Sequence, residues 1–411
     1  MFNLTLEFKL KPTATQIAVF EDSLEQCRKV YNNAWKERKD WYNSRKCQIN
    51  SCSQSSEYII PTDGPLQTYS SQCKALTTYR KTSPPLLRVN AALPQQTRLR
   101  LEKSFVSMCE QSQGFPRFKK KGTLRSFNEP QLGTTFHQGN RFKLPVIGPI
   151  KFWQDRPIPQ GAILKQARLV RRSPGWYIML TLQWDVSIPD NIPHGNPVGI
   201  DIELTNFVAT SKGLLIKKTR FFANAERKLK LLQQRVTRKK IGSNNRKRAS
   251  EKVALLHEYV ANCRKDWHRK LSHQICDDAG MAFLEELNLV GLSRASLGKH
   301  GLDAGFGQFF NILEQTCFKR GVYFQKVDAK KTSQICPNCL NETGKKELSE
   351  RVPSCHYYAY TSDRDVAAAQ VVLKGGLAAV EHRVKMRRSA SKFMGIPAKQ
   401  ESPRLLARES H

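Results

Sequence analysis

Three apolar runs in the C-terminal half decide the fold: VGIDIEL (198–204), MAFLEEL (281–287) and GVYFQKVDA (321–329). Each run is rich in β-branched or aromatic residues and is bounded by turn-forming residues, which predicts buried strands. NFVATS (206–211) and LLIKKTR (214–220) follow the first run at short spacing. These two segments predict strands paired with it in one sheet.

Helical spacing of apolar residues separates the predicted strands. It predicts helices over 223–240, 247–278 and 307–320, the first two antiparallel and joined by a turn at 242–245. The predicted strands come first, and helices then alternate with strands. This order is that of a ribonuclease-H-like α/β domain.

The N-terminal half has a different pattern. Residues 2–10 alternate as a strand does, and 15–42 and 92–112 have helical spacing. Short aromatic and β-branched runs over 114–185 predict antiparallel strands in a barrel or sandwich, completed by the strand at 2–10. Residues 189–197 contain three prolines and a glycine and are typical of a linker.

Composition narrows the class of function. Of 411 residues, 68 are Lys or Arg and 35 are Asp or Glu, which gives a formal net charge of +33. A surface so basic favours a polyanion partner, above all nucleic acid. Hydrophobic residues at 39% exclude a wholly disordered chain, and no apolar run is long enough to span a membrane. The N-terminus lacks a signal core, and eleven scattered cysteines indicate reduced thiols or a metal site.

Three acidic residues stand at the ends of predicted elements. Asp201 lies in the first strand, Glu285 ends the apolar part of the second, and Asp365 starts a helix. A carboxylate in an apolar strand is costly unless it is paired or binds a metal. Three such groups at one sheet edge would suit Mg²⁺, and two ions so held can catalyse phosphodiester hydrolysis. Each acid singly could instead be a surface or capping residue, as Asp363 and Asp365 could be for their helix.

A cysteine pair with zinc-site spacing follows the third strand. Cys336 and Cys339 form a CxxC motif, and Cys355 lies 16 residues further on. Position 358, where a fourth cysteine would complete the set, is Tyr358, and His356 is awkwardly adjacent to Cys355. Both a zinc site and a ribbon that has lost its zinc remain open.

Basic residues cluster on the predicted helix pair. Residues 217–248 contain 13 basic residues and one acid, Glu226, a bias that suits a groove for a nucleic-acid duplex. A further basic patch spans 168–172. The predicted nucleic-acid contacts are Lys119, Lys120, Lys121, Arg235, Arg238, Lys239, Lys240, Arg246, Lys247 and Arg248. Trp153, Trp176 and Trp184 could stack on bases, but core packing is the favoured role for each.

Motifs along most of the chain carry a resemblance to a known family. They are EFKLKPTATQ (7–16), CRKVYNNAW (27–35), GFPRFKKKG (114–122), VGIDIELTNFVATSKG (198–213), NCRKDWHRKLS (262–272), FLEELNLVGL (283–292), GLDAGFGQF (301–309), TSQICPNC (332–339) and SDRDVAAA (362–369). In this combination the chain resembles TnpB, the RNA-guided nuclease of bacterial and archaeal insertion sequences and a relative of type V CRISPR effectors.

The resemblance implies a multidomain α+β and α/β fold, a wedge β-barrel with an inserted helical lobe followed by a RuvC domain with a zinc-ribbon-like insertion. The implied segments are 1–10 (first barrel strand), 11–112 (helical recognition lobe), 113–190 (rest of the barrel), 191–330 (RuvC), 331–362 (ribbon, intact or degenerate) and 363–382 (last RuvC helix). Residues 383–411 are basic and contain several Ser and Pro residues, which predicts a disordered tail with no assigned role.

The resemblance also implies an activity. Asp201, Glu285 and Asp365 would be the catalytic ligands of two Mg²⁺ ions in one RuvC site that cuts both DNA strands. Cys336, Cys339 and Cys355 would belong to the zinc ribbon. A guide RNA from the transposon end would select double-stranded DNA beside a short motif that the protein reads. The protein would be cytoplasmic in a prokaryote, and at the nucleoid when bound to DNA.

The chain departs from the family pattern at several positions. Glu203 and Leu340 stand where glycine is usual, Tyr358 replaces the fourth cysteine, Ala359 a glycine, and Ala367 an asparagine. Glu203 could add a metal ligand or disturb the metals. The departures motivate an alternative, a cleavage-deficient RNA-guided binder that acts as a repressor or is a decayed copy, although the three acids are intact.

A transposase that joins strands itself is the third alternative. The single-strand class needs a His-hydrophobic-His pair, and none of the nine histidines is spaced in that way. A ribonuclease-H-like transposase remains possible on the acids alone.

Overall fold

The computed structural model describes residues 2–46, 58–111, 113–130, 132, 137–158, 161–184, 191–203, 205–289, 291, 301, 303–328, 332–344, 352, 355 and 360–393. The chain divides into two compact units, Met1–Ile188 and Pro189–His411. Both contain helices and a sheet, so the fold is a mixed α and β one. None of the described helices is long and apolar enough to cross a bilayer.

Unit 1 contains a seven-stranded antiparallel sheet in the order β2-β6-β7-β1-β5-β4-β3. The strands are β1 (Phe2–Lys11), β2 (Ser126–Glu129), β3 (His137–Gln138), β4 (Arg141–Leu144), β5 (Gly148–Phe152), β6 (Ile163–Arg172) and β7 (Gly175–Trp184). The N-terminal strand therefore lies at the centre of a sheet whose other strands come from residues 126–184.

Alternation along β1 explains its central position. Leu6, Phe8 and Leu10 are buried in the core, while the intervening residues face the other side of the sheet. Phe8 pairs in register with Ile178 of β7, and its ring packs edge-on against Phe152 at 5.3 Å between centroids. Burial of this one face fixes the register, because a slip of one residue would expose it.

The helices of unit 1 are α1 (Ala14–Lys46), α2 (Tyr69–Thr82), α3 (Pro84–Leu87) and α4 (Ala92–Glu110). The sequence predicts α1 and α4 but not α2. Helix α2 is polar on nearly all sides and buries only Gln72 and Leu76 among its residues, so it has no apolar stripe to detect. Thr68 caps its first turn by accepting a hydrogen bond from the backbone N–H of Ser71 at 3.2 Å.

Unit 2 contains a five-stranded sheet in the order β10-β9-β8-β11-β12. The strands are β8 (Pro197–Asp201), β9 (Asn206–Thr210), β10 (Leu215–Lys217), β11 (Met281–Glu286) and β12 (Tyr323–Asp328). Strands β8, β11 and β12 run parallel to one another, and β9 and β10 are antiparallel additions to the edge of β8. All five predicted strands of this half form one sheet.

The helices of unit 2 are α5 (Phe221–Thr237), α6 (Asn244–Asp277), α7 (Phe306–Lys319) and α8 (Arg364–Phe393). Helices α5 and α6 form a hairpin whose turn includes Gly242 in the left-handed conformation, with φ of +85°. Ser243 then caps α6 by accepting a hydrogen bond from the backbone N–H of Arg246 at 3.2 Å.

Helix α8 differs from the prediction at its C-terminal end. The sequence predicts that this helix ends at 382 and that a disordered tail starts at 383, but the helix continues to Phe393. The predicted boundary is wrong by eleven residues, because Ser and basic residues are compatible with a helix already nucleated upstream. The rest of the predicted tail, 394–411, lies outside the described residues.

Two glycines bring α8 against the sheet. A Cβ on Gly199 of β8 would lie 2.0 Å from the backbone oxygen of Ala369, and one on Gly376 of α8 would lie 2.2 Å from the ring of Phe283 in β11. Both distances are far below van der Waals contact, so only glycine permits this approach. The start of α8 is thereby placed beside the carboxyl ends of β8 and β11.

Candidate active site

Strand register places two of the predicted acids side by side. Ile200 of β8 pairs with Leu284 of β11, and the next residues along the two parallel strands are Asp201 and Glu285. Both residues are 8% exposed. Burial raises the pKa of the Asp201 carboxyl well above its usual range, and the adjacent Glu285 and nearby Asp365 raise it further. Two buried acids in contact favour a shared proton or a bound cation.

The third acid comes from the first turn of α8. Asp365 is 2% exposed, and its Oδ2 accepts a 2.7 Å hydrogen bond from Nδ2 of Asn206 at the start of β9. Its own backbone N–H donates to Oδ1 of Asp363 at 2.9 Å. Asp363 is therefore the capping residue, which leaves the Asp365 side chain to face the sheet. The structure thus brings Asp201, Glu285 and Asp365 to one edge of the sheet.

Glu203 is engaged with a cation beside this cluster. Its Oε1 lies 3.3 Å from Nη2 of Arg364, and the two side chains are 28% and 13% exposed respectively. The ion pair links the segment after β8 to the residue that precedes Asp365. The carboxylate in place of the usual glycine is therefore neutralised locally and held by an arginine.

Two of the family motifs pack against each other behind the sheet. Nη1 of Arg264 donates to the backbone oxygen of Asp303 at 3.3 Å, and Nε2 of His268 contacts the oxygen of Ala304 at 3.1 Å. Gly305 has φ of +69°, and a Cβ there would lie 3.0 Å from Arg264. Oδ1 of Asp303 accepts the backbone N–H of Phe222 at 2.8 Å, at the start of α5. Hydrogen bonds therefore join these two motifs to each other and to the start of α5.

Three cysteine thiols converge in the segment between β12 and α8. The sulfur atoms of Cys336, Cys339 and Cys355 all lie within 4.8 Å of one another, and Cys339 and Cys355 are 3.8 Å apart. Three thiols at this spacing form a possible metal site. Tyr358, which stands where a fourth cysteine would complete the zinc site, and His356, the nearest alternative ligand, both lie outside the described residues.

Leu340 has a strained backbone within this cysteine cluster. Its φ is +60°, in the left-handed region that leucine rarely adopts, and its N–H donates to the oxygen of Cys336 at 2.9 Å. Glycine is usual here in the family pattern, and the left-handed turn explains why.

Most of the predicted basic contacts lie on the α5–α6 hairpin. A cleft of about 470 Å³ between the two helices is lined by Leu232, Arg235, Lys239, Asn245, Arg248, Ala249 and Lys252. Arg238, Lys240 and Lys247 are exposed around it, whereas Nη1 of Arg246 bonds the oxygen of Lys239 at 3.0 Å and braces the turn. Cations from both helices therefore converge on one cleft.

The basic patch of unit 1 is partly buried against α1. Asn32 accepts the N–H of Lys119 and donates to its oxygen, both at 2.9 Å, and the Lys119 ammonium lies 5.4 Å from the Tyr31 ring centroid. Burial lowers the pKa of Lys119. Lys120 and Lys121 are exposed.

The tryptophans differ from one another in their surroundings. Trp176 is 5% exposed and packs on Phe20 with 4.6 Å between ring centroids, in the core as predicted. Trp153 is 57% exposed, so the expectation of core packing is wrong for it. It follows β5 by one residue, on the side opposite to the buried Phe152. The side chain of Trp184 is not among those described.

Three family models match separate parts of the chain. A model of OrfB of IS605, described as a probable transposase, matches residues 183–296. A model of the TNB domain of Cas12f1-like proteins matches residues 306–372, and a helix-turn-helix model of OrfB matches residues 1–47. These segments include Asp201, Glu285, Asp365 and the cysteine cluster.

Curated relatives extend the match over nearly the whole chain. A candidate RNA-guided DNA endonuclease of Streptomyces pristinaespiralis is 27% identical over 410 residues, covering 98% of this chain and 96% of that protein. The candidate RNA-guided DNA endonuclease InsQ of Escherichia coli K12 is 26% identical over 298 residues, covering 69% of this chain and 73% of InsQ. A TnpB-like protein of Acanthamoeba polyphaga mimivirus is 29% identical over 150 residues, covering 34% and 28% respectively.

The chain belongs to the TnpB family.

Sequence reasoning missed two features of this TnpB-family chain. Asn206 had no assigned role, although its position at the start of a strand next to the Asp201 motif could have drawn attention to it. Lys252 lines the hairpin cleft but lies one turn beyond the basic run that the sequence singled out.

Proposed function

We propose that this protein is a Mg²⁺-dependent, RNA-guided DNA endonuclease of an insertion sequence. The observation that carries the proposal is the convergence of Asp201, Glu285 and Asp365, all less than a tenth exposed, at one edge of the sheet of unit 2. Three buried carboxylates together are unfavourable in a protein unless cations neutralise them. The names of the Streptomyces and E. coli relatives support the guided-nuclease activity.

The donor set of the cluster fits Mg²⁺. All three side chains offer carboxylate oxygens, the ligands that Mg²⁺ prefers. Two bound ions would supply a nucleophilic water and stabilise the leaving 3′ oxygen of the phosphodiester. The protein would hold the ligands in place: β8 and β11 present Asp201 and Glu285 in register, and Asn206 orients Asp365. We propose that this single site cuts both strands in turn.

We propose that the basic cleft of the α5–α6 hairpin binds a nucleic-acid backbone. Arg235, Lys239, Arg248 and Lys252 line it from two helices, and phosphate oxygens are the ligands such a set attracts. A guide RNA from the transposon end and the target duplex are the proposed partners, with base pairing supplying most of the specificity and a short flanking motif read by the protein.

The cysteine cluster is proposed to bind Zn²⁺. Cys336, Cys339 and Cys355 supply three of the four ligands of a tetrahedral site. Zinc would tie together the segment that connects β12 to α8, and so would support the position of Asp365.

A cleavage-deficient guided binder is the second candidate. Ala367, 7% exposed in the first turn of α8, cannot supply the amide that the family pattern has there. If that amide is required for chemistry, guided binding would remain without cutting.

The deciding experiment uses protein co-expressed with its native flanking DNA. Bound RNA is sequenced, and the complex is incubated with a plasmid library matching that RNA in Mg²⁺ or EDTA. A guided nuclease gives a discrete RNA and Mg²⁺-dependent cuts beside one motif. Asp201→Asn should bind target but not cut, and Asp278→Asn, which alters an exposed acid of unit 2, should cut normally.

The other outcomes identify the alternatives. Guided binding without cleavage by the unmodified protein supports the binder. No discrete RNA overturns the guided function, and strand-transfer products with transposon ends would indicate a transposase.

A further inference from the structure

Trp153 lies on the surface of unit 1 at the end of a paired strand. Its indole is 57% exposed, yet its backbone N–H donates to the oxygen of Lys9 at 2.8 Å, which continues the pairing of β1 with β5. The Lys11 ammonium lies 3.2 Å from the ring centroid. A large exposed aromatic plane on a paired strand offers a surface on which a flat ligand can stack.

A cavity of about 390 Å³ opens beside this ring. It is lined by Glu7, Lys9, Trp153, Asp155, Arg156 and Tyr177. Its floor is the outer face of the sheet: Glu7 and Lys9 alternate with the buried Phe8, and Lys9 pairs in register with Tyr177. The cavity therefore rests on paired strands of a rigid sheet.

The charges around the cavity are arranged in pairs at its rim. Arg156 bonds Asp155 at 2.8 Å, and Glu7 bonds Arg172 at 2.6 Å. Arg172 also lies 5.0 Å from the centroid of the Tyr177 ring. The site thus combines aromatic faces, ammonium and guanidinium donors and carboxylate acceptors around one cavity.

We propose that this cavity binds one unpaired nucleobase of single-stranded RNA, stacked on Trp153. Lys9 and Lys11 would contact the neighbouring phosphates, and Glu7 and Asp155 would accept hydrogen bonds from amino groups of the base. An unpaired base is required because a base within a duplex has both faces covered by its neighbours. The chain's charge of +33 favours such a polyanion over a neutral or cationic ligand.

The site adds to the proposed function a point of single-strand recognition distant in sequence from the catalytic acids. It requires RNA binding but not cleavage. The test is therefore made in EDTA with the full-length protein freed of bound RNA. The probe is a short fluorescein-labelled single-stranded RNA oligonucleotide, compared with its deoxy counterpart and with the same RNA annealed to its complement.

Four variants distinguish the effect of stacking from effects on the fold and on charge. Trp153→Ala should weaken single-strand binding by roughly tenfold to a hundredfold, while Trp153→Phe, which keeps an aromatic plane, should keep most of the affinity. Tyr79→Ala removes a 59% exposed aromatic of α2 and should change nothing. Lys11→Gln should reduce the salt dependence of binding without abolishing the stacking.

A spectroscopic readout ties the effect to this ring. Single-stranded RNA should quench a component of tryptophan emission that is absent from Trp153→Phe. Equal affinity of Trp153→Ala and unmodified protein, or equal loss for single-stranded and duplex RNA, would overturn the proposal. A matching effect with the deoxy oligonucleotide would overturn its assignment to RNA. Asp201→Asn should respond as unmodified protein does, so failure of cleavage leaves this result unaffected.

Discussion

The side-chain amide of Asn206 donates a 2.7 Å hydrogen bond to the carboxylate of Asp365, which joins the start of β9 to the first turn of α8. The two residues are 159 positions apart in the chain. This bond holds the Oδ2 atom of Asp365 in place beside the other two acids. Asn206 is therefore a positioning residue for the proposed metal site.

Replacing Asn206 should reduce cleavage while leaving guided binding intact. We expect Asn206→Ala to lower the cleavage rate by about tenfold to a hundredfold, because partners that orient metal ligands typically contribute that much. The Mg²⁺ concentration for half-maximal rate should rise, which a purely structural defect would not cause. Cleavage is measured over a Mg²⁺ titration with saturating guide and target.

The residue at the other end of β9 offers a control for the Asn206 experiment. Thr210→Ser, at the far end of β9, changes a buried residue without touching Asp365 and should preserve the Mg²⁺ dependence. An unchanged Mg²⁺ titration in Asn206→Ala would refute the positioning role.

Gly199 should tolerate no side chain. An alanine Cβ would lie 2.0 Å from the backbone oxygen of Ala369, so α8 would have to move away from β8. We expect Gly199→Ala to destabilise unit 2 by about 3 kcal/mol or more, since a backbone atom cannot yield as a side chain can. Chemical denaturation measures this, and Gly114→Ala, where a Cβ meets open space, is the control. Normal stability of the Gly199 variant would show that α8 is not held so close.

Leu340→Gly should stabilise the cysteine cluster. Leucine at φ of +60° is strained by about 1–2 kcal/mol, and glycine is not. Leu340 is 57% exposed, so little burial is lost on substitution. We expect tighter Zn²⁺ binding, measured by competition with a chromogenic chelator. Weaker binding would mean that the Leu340 side chain makes contacts worth more than the strain.

The cysteine cluster should bind one zinc ion per chain. Metal analysis of protein purified without chelator should give a ratio near one, and Cys355→Ser should lower it together with zinc affinity. Cys109→Ser, in an exposed thiol of α4, should leave the ratio unchanged. Protein without zinc that cleaves normally would indicate a ribbon that has lost its metal.

His268 should make unit 2 less stable in acid. Burial lowers the pKa of this imidazole to about 4, and the hydrogen bond to Ala304 opposes the shift only in part. The pKa of His268 is lower in the folded than in the unfolded state. Its contribution to the free energy of unfolding is therefore fully present above about pH 6.5 and is lost as the pH falls toward 4. The loss should reach about 3 kcal/mol, which corresponds to the full displacement of the His268 pKa.

A comparison with His268→Gln isolates that contribution. The glutamine variant has no imidazole to protonate, so its free energy of unfolding should depend less on pH between 6.5 and 4. Titration of Glu129 in unit 1 changes stability in the opposite direction, because burial raises its pKa to about 7. Glu129 is present in both proteins, so its effect cancels in the comparison. Identical pH slopes for the two proteins would exclude His268 as the titrating group.

Local sequence pattern determined the elements of this protein and the identity of its acidic and cysteine residues. Alternation in β1, the apolar runs of β8, β11 and β12, and the periodicity of α5 and α6 are properties of neighbouring residues, so they are legible in the sequence. Helix α2 lacked such a pattern, and the end of α8 depended on a helix nucleated well before it.

Only tertiary structure decided which of these residues meet. The parallel register of β8 and β11 sets Asp201 beside Glu285, and the close approach at Gly199 and Asn206 brings Asp365 to them. Trp153 became a surface residue because β5 ends before it, and burial is set by what packs opposite a side chain, not by its own hydrophobicity. Long-range packing is absent from the linear pattern, so these relationships required the folded chain.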